Sequence, residues 1–186
     1  RVFRAKVAAI RPHVAYCEPI DLQLGDADRA FDILRAESFV AGFADIWRTA
    51  PETLGPNVRD NMQIAASITL ADRAWAHLEQ TRIARRFATM LERFDVILSP
   101  VSPVTPFPWT ELYATQIDDQ AMKNYYHWLG LCYTVTLATN PALSLPCGVD
   151  EHHMPFGLQV IGHLHQDARL LAVAHALEQL FESSPV

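Results

Sequence analysis

The sequence predicts an α/β fold in which helices flank a sheet. Three observations support this prediction. Apolar residues recur at helical spacing over much of residues 28–94. Short apolar runs follow at 95–99, 142–145 and 158–161, and such uninterrupted runs are typical of strands covered on both faces. A last helical pattern begins near residue 167, so strands and helices alternate along the chain.

The composition is that of a globular protein with one sizeable core: 186 residues, 50% hydrophobic and 19% charged. The net charge is -6 without a block of lysines and arginines, which argues against nucleic acid or an anionic membrane as a partner. No apolar stretch approaches the roughly 20 residues of a membrane span, and no signal peptide is recognisable. Three widely spaced cysteines fit free thiols, so we expect a cytoplasmic protein.

The first part of the chain is predicted to be mostly helical. A short strand-like run at Val14–Cys17 comes first. A helix is then predicted from Asp28 to Thr49, and Pro51 breaks its pattern. A second helix is predicted to begin after Pro56.

The longest helix is predicted from about Thr69 to Phe94, and its apolar stripe changes direction half-way along. In the first half the stripe comprises Ala71, Ala74, Trp75 and Leu78. In the second half it comprises Ile83, Phe87, Met90, Leu91 and Phe94. Because the second stripe is rotated about the helix axis, we expect two different partners to cover this helix.

The remaining elements follow in order. A strand is predicted at 95–99, and four prolines make 100–108 an extended loop. An aromatic-rich helix is predicted from about Asp118 to Leu137, and two strands follow at about 142–145 and 158–161. The last helix is predicted to start near Asp167, which is a good N-cap residue. Its predicted buried face comprises Leu170, Ala174, Leu177 and Phe181.

The segment from Asn140 to Gly162 is a candidate site for cysteine or metal chemistry. Cys147 is a candidate nucleophile, with His152 or His153 as its base. A reactive thiolate needs a helix N-terminus or a nearby cation, whereas Cys147 follows an apolar strand, so we favour a buried structural residue. No carboxylate–histidine motif supports a metal site. The histidines concerned are His152, His153, His163 and His165.

Four segments in this part of the chain resemble a known family when they are taken together. They are DVILSP at 95–100, NPALSLPCG at 140–148, PFGLQVIG at 155–162, and a helical pattern at 167–178. In order, spacing and identity they resemble the C-terminal part of the amidase signature family, over residues 67–181. The resemblance implies the C-terminal portion of that α/β fold, a mixed sheet flanked by helices, with residues 1–186 as a single-domain fragment.

The amidase signature family hydrolyses carboxamides with a serine nucleophile. A second serine and a lysine activate that serine, and all three lie in a Gly/Ser-rich N-terminal segment of the family's domain. This sequence has no such segment: Ser183 and Ser184 lie in a polar tail, and neither Lys6 nor Lys123 has a matching context. The resemblance therefore implies no catalytic residue, no metal and no organic cofactor in this chain, which would supply sheet scaffold and pocket wall.

The resemblance also bears on partners. The chain begins with Arg1 rather than Met, and we expect an N-terminal half of the same protein to bring the catalytic residues. The alternative is a non-catalytic, stand-alone binding or assembly module with an amidase-like fold. Because the predicted strands read as part of a larger buried sheet, we expect this half alone to be a poor monomer, and a homo-oligomer is one outcome.

A basic residue of the long helix lies near the substrate in glutamine-type members of the family. Arg82 falls at that position, and its guanidinium can bind a carboxylate through two parallel hydrogen bonds. The alternative interpretation of Arg82 is a solvated helix arginine. Arg82 is therefore one candidate for contact with a small-molecule amide substrate.

Three further candidates for substrate contact lie in the aromatic-rich segment. Glutamine-type members carry an acid where this chain has Leu129, and its loss argues against a free amino acid amide as substrate. With Trp128 and Tyr133 nearby, an apolar or aromatic amide is favoured, although these residues also fit an ordinary core. Thr136 and Thr139 stand where the family often has Asn and Gly, which leaves the shape of the following loop open.

Overall fold

The computed structural model describes residues 1–183, and the fold class is α/β as predicted. The helices are α1 (Val2–Ile10), α2 (Ala27–Thr49), α3 (Pro56–Ala66), α4 (Leu70–Leu91), α5 (Gly130–Ala138) and α6 (Asp167–Ser183). The strands are β1 (Ile97–Pro100), β2 (Gln116–Ile117), β3 (Gln120–Ala121), β4 (Ala142–Val149) and β5 (Pro155–Ile161). In the described part of the chain, no helix is long and apolar enough to cross a bilayer.

The main sheet has the strand order β1-β5-β4, and both pairings are antiparallel. Neighbouring rows of side chains point to opposite faces. Ile97 and Ile161 are paired and belong to a core shared with α2, α4 and α5. Leu98 and Val160, in the next row, face a second core shared with α1 and α6. Strand β1 is therefore covered on both faces, as its uninterrupted apolar run predicts.

Helix α4 begins with a capping box that explains its sharp start. The Thr69 hydroxyl accepts a hydrogen bond from the Asp72 N–H at 3.1 Å, and the Asp72 carboxylate accepts one from the Thr69 N–H at 3.0 Å. The helix ends at Leu91, before the predicted Phe94, and its 22 residues are one fewer than the 23 of α2. The prediction that it is the longest helix is therefore wrong.

The sequence predicts that an apolar stripe on the first half of α4 is buried, and this prediction is wrong for most of its residues. Ala71 and Ala74 are exposed, and Leu78 is 59% exposed. The buried residues in this half are Ala76 and Glu79. Of this stripe, Trp75 is half-buried beside Arg29 of α2, whereas Ala71, Ala74 and Leu78 lie on a side of α4 that no element in residues 1–183 covers. In the second half the predicted stripe is confirmed, because Ile83, Phe87 and Leu91 are buried.

The helix predicted over 118–137 is wrong in its first half. Asp118 and Asp119 both have positive φ, 48° and 62°, which are the angles of the tight turn that joins β2 to β3. The side chain of Asn124 then accepts the N–H groups of Tyr126 and His127 and starts a 3₁₀ turn. Regular α-helix therefore begins only at residue 130.

Three smaller predictions also need correction. Residues 14–17 form no strand, because they follow a 3₁₀ turn and pair with no strand within residues 1–183. Strand β4 continues beyond Leu145 to Val149, with a bulge after Pro146. Proline is tolerated there because β4 is an edge strand that needs no outward donor. Helix α6 starts with Asp167 itself, so this residue lies in the first turn and does not precede it.

Candidate functional site

A dense group of polar side chains surrounds the carboxylate of Asp32, near the start of α2. One carboxylate oxygen accepts a hydrogen bond from the Tyr126 hydroxyl at 2.7 Å and lies 2.8 Å from His127 Nε2. The other oxygen accepts one from Lys123 Nζ at 2.9 Å. Burial alone would raise the pKa of Asp32, but these bonds favour the charged form and hold that pKa below its usual value. The ionised Asp32 therefore fixes the segment 123–127 onto α2.

Tyr133, a predicted pocket residue, is bound to the same face of α2. Its hydroxyl donates a hydrogen bond to Asp28 Oδ1 at 2.5 Å, and its ring stacks on Phe31 with centroids 4.3 Å apart. Burial, together with the bond to the Asp28 carboxylate, raises the pKa of Tyr133 well above its ordinary value. The phenol is therefore protonated at neutral pH, where it acts as a donor and not as a base.

Trp128 and Leu129 form the turn that leads into α5. The indole N–H of Trp128 donates to the Tyr125 carbonyl oxygen at 3.1 Å, and its ring meets Phe107 edge-on with centroids 5.6 Å apart. Phe107 belongs to the proline-rich loop after β1. The structure therefore places Trp128, Leu129 and Tyr133 at the start of one short helix, with the proline-rich loop beside them.

Arg82 has its contacts elsewhere. Its guanidinium is 58% exposed and pairs with Glu79, one turn earlier on α4, at 3.1 Å. The Glu79 carboxylate is buried beneath the backbone of Gly25, where a Cβ in place of the glycine hydrogen would clash with Glu79 Oε1. Arg82 therefore compensates a buried negative charge, and this contact is with its own helix and not with the start of α5. Its contact with a substrate stays a prediction, as it does for Trp128, Leu129 and Tyr133.

Cys147 lies inside β4, where it is 3% exposed. Its Sγ atom lies 3.6 Å from the Phe156 carbonyl oxygen, and burial raises the pKa of the thiol. His152 and His153 lie in the exposed turn between β4 and β5, where Asp150 accepts backbone N–H bonds. The thiol is therefore kept neutral by its surroundings. Within residues 1–183, no group of three or more His, Cys, Asp or Glu residues is arranged to hold a metal.

Arg35, which lies next to the Asp32 group, was not predicted from the sequence. Its guanidinium lies among four aromatic rings, with centroids 4.8 to 5.9 Å away, and donates to the Tyr125 hydroxyl at 2.7 Å. The four rings are those of Phe31, Phe39, Tyr125 and Tyr126. The available signal was the spacing of Asp28, Asp32 and Arg35, which places three charged residues on one face of α2 beside Phe31.

Helices α2, α4 and α5 pack together beside the antiparallel sheet, and these elements form one part of an α/β domain. Comparison with known proteins shows which kind of domain it is. The family model described as Amidase matches residues 11–171, and the chain therefore belongs to the amidase family. The resemblance found in the sequence is confirmed by this match.

The curated relatives and solved structures are longer than this chain. A glutamyl-tRNA(Gln) amidotransferase subunit from Prochlorococcus marinus (strain MIT 9211) is 42% identical over 100 residues, which are 54% of this chain and 19% of that protein. Its counterpart from Thermosynechococcus vestitus is 30% identical over 182 residues, with 90% of this chain and 36% of that protein covered. The chain thus spans about a fifth to somewhat over a third of these two relatives.

Solved structures of the family share the fold. A structure described as an amidase superposes with a TM-score of 0.84 at 24% identity, over 95% of this chain and 40% of the other. A bacterial aryl acylamidase of the amidase signature family superposes with a TM-score of 0.78 at 19% identity, over 100% of this chain and 40% of the other. The fold is therefore that of one part of an amidase signature domain.

Proposed function

We propose that this chain is the C-terminal portion of an amidase that hydrolyses a carboxamide C–N bond. In this proposal it supplies sheet scaffold and part of the substrate-pocket wall, and an N-terminal half of the same protein supplies the nucleophile. The observation behind the proposal is the family match over residues 11–171, combined with coverage of 40% of the solved amidase. We further propose that the enzyme acts in the cytoplasm and uses neither a metal nor an organic cofactor.

Amide hydrolysis needs a nucleophile, a base that takes its proton, and donors for the oxyanion. Two properties of the described residues favour a nucleophile from elsewhere. Burial keeps the Cys147 thiol neutral, and the raised pKa of Tyr133 removes its phenol as a base. In the amidase signature family these roles belong to two serines and a lysine, which this chain does not match.

The residues at the start of α5 support an apolar or aromatic amide as the substrate. Trp128 and Leu129 are only partly buried, so each retains apolar surface that a substrate can cover. Tyr133 is fixed by its bond to Asp28 and gives this wall a rigid base. Leu129 offers no charge to the ammonium group of a free amino acid amide. Arg82 keeps an exposed guanidinium that can bind an acidic group on part of the substrate.

A paired assay tests the division of labour. The 186-residue chain and the N-terminal half are purified separately, and each is tested with a panel of aryl amides before the two are mixed. We expect hydrolysis only after mixing. Turnover by the 186-residue chain alone, if it survives repurification and is abolished by one substitution within it, would refute the proposal. No turnover on mixing, with a full-length protein that is also inactive, would favour the non-catalytic module.

Two substitutions in the full-length protein test the pocket. Leu129→Asp is expected to lower kcat/KM for an apolar anilide and to raise it for an amino acid amide, because a carboxylate then faces the ammonium group. Arg82→Gln is expected to cost about 1.5–3 kcal/mol of transition-state binding for an acidic amide only. Arg48→Gln, on an exposed arginine of α2, is the matched control. Equal effects of Arg82→Gln on acidic and neutral amides would remove Arg82 from the pocket.

A further inference from the structure

A cleft of about 320 Å³ lies between the second half of α4 and the extended segment that precedes α2. Three arginines line it: Arg85 and Arg86, which are adjacent on α4, and Arg93, which lies just after the helix. Its remaining lining residues are Leu22, Thr89 and Met90. The cleft thus combines a strong positive charge with an apolar floor, in a chain whose net charge is -6.

Within the described residues, two of these three arginines have no partner for their charge. Arg93 is paired with Glu18 at 3.1 Å, and Glu18 also accepts the Tyr16 hydroxyl at 2.6 Å. Neither the Arg85 nor the Arg86 side chain makes a hydrogen bond or an ion pair within residues 1–183, and one guanidinium nitrogen of Arg86, Nη1, is buried there without an acceptor. This nitrogen lies beside the Gly25 backbone and out of contact with water, so an anion in the cleft can reach only the other nitrogens of the Arg86 guanidinium.

The nearby acids do not meet this need. Glu18 is occupied by Arg93, and the buried Glu79 is paired with Arg82. The charge that remains over the cleft is that of two guanidinium groups on adjacent residues. Guanidinium groups bind a carboxylate through parallel N–H···O bonds, which gives both affinity and orientation.

The floor of the cleft decides which kind of anion fits. Leu22 and Met90 are partly buried and pack against the core shared by α2, α4 and α5. A ligand that covers them removes apolar surface from water, whereas inorganic phosphate does not. The volume lies at the lower end of the range for small-molecule sites, so the cleft is large enough for a small organic anion. We propose that this cleft binds a small organic carboxylate, with its carboxylate on Arg85 and Arg86 and its apolar body on Leu22 and Met90.

The proposal does not depend on amidase activity, because it concerns binding alone. Benzoate is titrated into the full-length protein by calorimetry, with benzamide as the neutral analogue and inorganic phosphate as the anion without an apolar body. The variants are Arg85→Gln, Arg86→Met and the double variant. Arg85 is exposed, so Arg85→Gln preserves the fold even if Arg86→Met does not. Arg48→Gln controls for general charge, and Trp128→Ala controls for benzoate in the proposed substrate pocket.

We expect saturable binding of benzoate that weakens about 10- to 100-fold in Arg85→Gln and in Arg86→Met, the range for loss of a charge-assisted hydrogen bond. Benzamide and phosphate should bind at least about 10-fold more weakly than benzoate. Arg48→Gln and Trp128→Ala should leave benzoate binding unchanged. Equal affinities for benzoate and benzamide, or tighter binding of phosphate, would overturn the proposal. So would the absence of saturable benzoate binding, wild-type affinity in Arg85→Gln, or loss of binding in Trp128→Ala.

Discussion

The two halves of α4 are attached to the rest of the molecule by different kinds of contact. The first half is attached to α2 by polar groups: Asp72 pairs with Arg29 at 2.9 Å, Arg73 pairs with Glu37, and the Arg29 guanidinium lies 4.2 Å from the Trp75 ring centroid. The second half is attached by apolar packing, and its buried residues are Ile83, Phe87 and Leu91. The same helix thus has one end held by charge and the other by the hydrophobic effect.

The difference shows what apolar periodicity can and cannot predict. Both halves carry an apolar stripe, and both stripes predict a covering partner. In the second half, α5 and α2 cover the stripe. In the first half α2 covers Trp75 through Arg29, and the part of the stripe that contains Leu78 stays exposed in the described residues. A stripe therefore predicts that a surface needs a partner, but it does not say where in the protein that partner lies.

The largest expected effect of a single substitution lies in the apolar half. Phe87 is 1% exposed and packs in the core shared with α5. Phe87→Ala is expected to lower the free energy of unfolding by about 3–5 kcal/mol, because it removes apolar contacts and leaves a cavity. Urea unfolding measures this change. A loss below about 1 kcal/mol would mean that α5 does not hold this half of the helix.

The next effect concerns α5, the helix that covers the apolar half. Thr139 follows its last residue with φ 60° and ψ 17°, a left-handed conformation that a β-branched residue adopts at a cost. Thr139→Gly is expected to raise the free energy of unfolding by about 1 kcal/mol, because glycine adopts this conformation without strain. Thr139→Ala is the control and should gain less. A loss of stability in Thr139→Gly would mean that the threonine side chain makes a contact worth more than the strain.

Particular elements show how much of the fold and of the candidate site can be predicted from the sequence. The apolar spacing predicted α6, and proline breaks marked the end of α2 and the start of α3, because those signals are local. The turn at Asp118 and Asp119 was missed because left-handed angles at two aspartates are decided by the hairpin that they close. For the site, the sequence pointed to Tyr133 as an aromatic residue. It did not reveal the bond to Asp28, because the two residues are 105 positions apart.

The polar half should respond to acid and the apolar half should not. The hydrogen bond from Arg73 lowers the pKa of Glu37, and bonds to Thr69 lower that of Asp72. Since the folded-state pKa is depressed in both cases, their stabilisation is present above the unfolded pKa and is lost as the pH falls through the folded value. Both carboxylates lie close to water, which screens these pairs, so we expect a local loosening of the helix and not global unfolding.

Hydrogen exchange measures this difference between the halves. Protection factors of amides in 73–79 should fall on moving from neutral pH to below about 4, relative to those in 84–91. Glu37→Gln should remove part of that fall, because its side chain no longer titrates. Equal loss of protection in both halves would mean that α4 opens as one unit and that its two halves do not differ in their response to acid.

The smallest expected effect is at Leu78, and it tests whether the exposed stripe has a partner elsewhere. In the 186-residue chain, Leu78→Ala should change the free energy of unfolding by less than about 0.5 kcal/mol, because the side chain is already 59% exposed. If the N-terminal half of the proposed enzyme covers the stripe, the same substitution in the full-length protein should cost about 2 kcal/mol or more. Phe87→Ala is the control, since its cost should be the same in both proteins. Near-neutral values for Leu78→Ala in both proteins would mean that the stripe stays in water, and that the second partner predicted for α4 does not exist. A large cost already in the 186-residue chain, accompanied by a fall in apparent mass on light scattering, would identify that partner as a second copy of this chain.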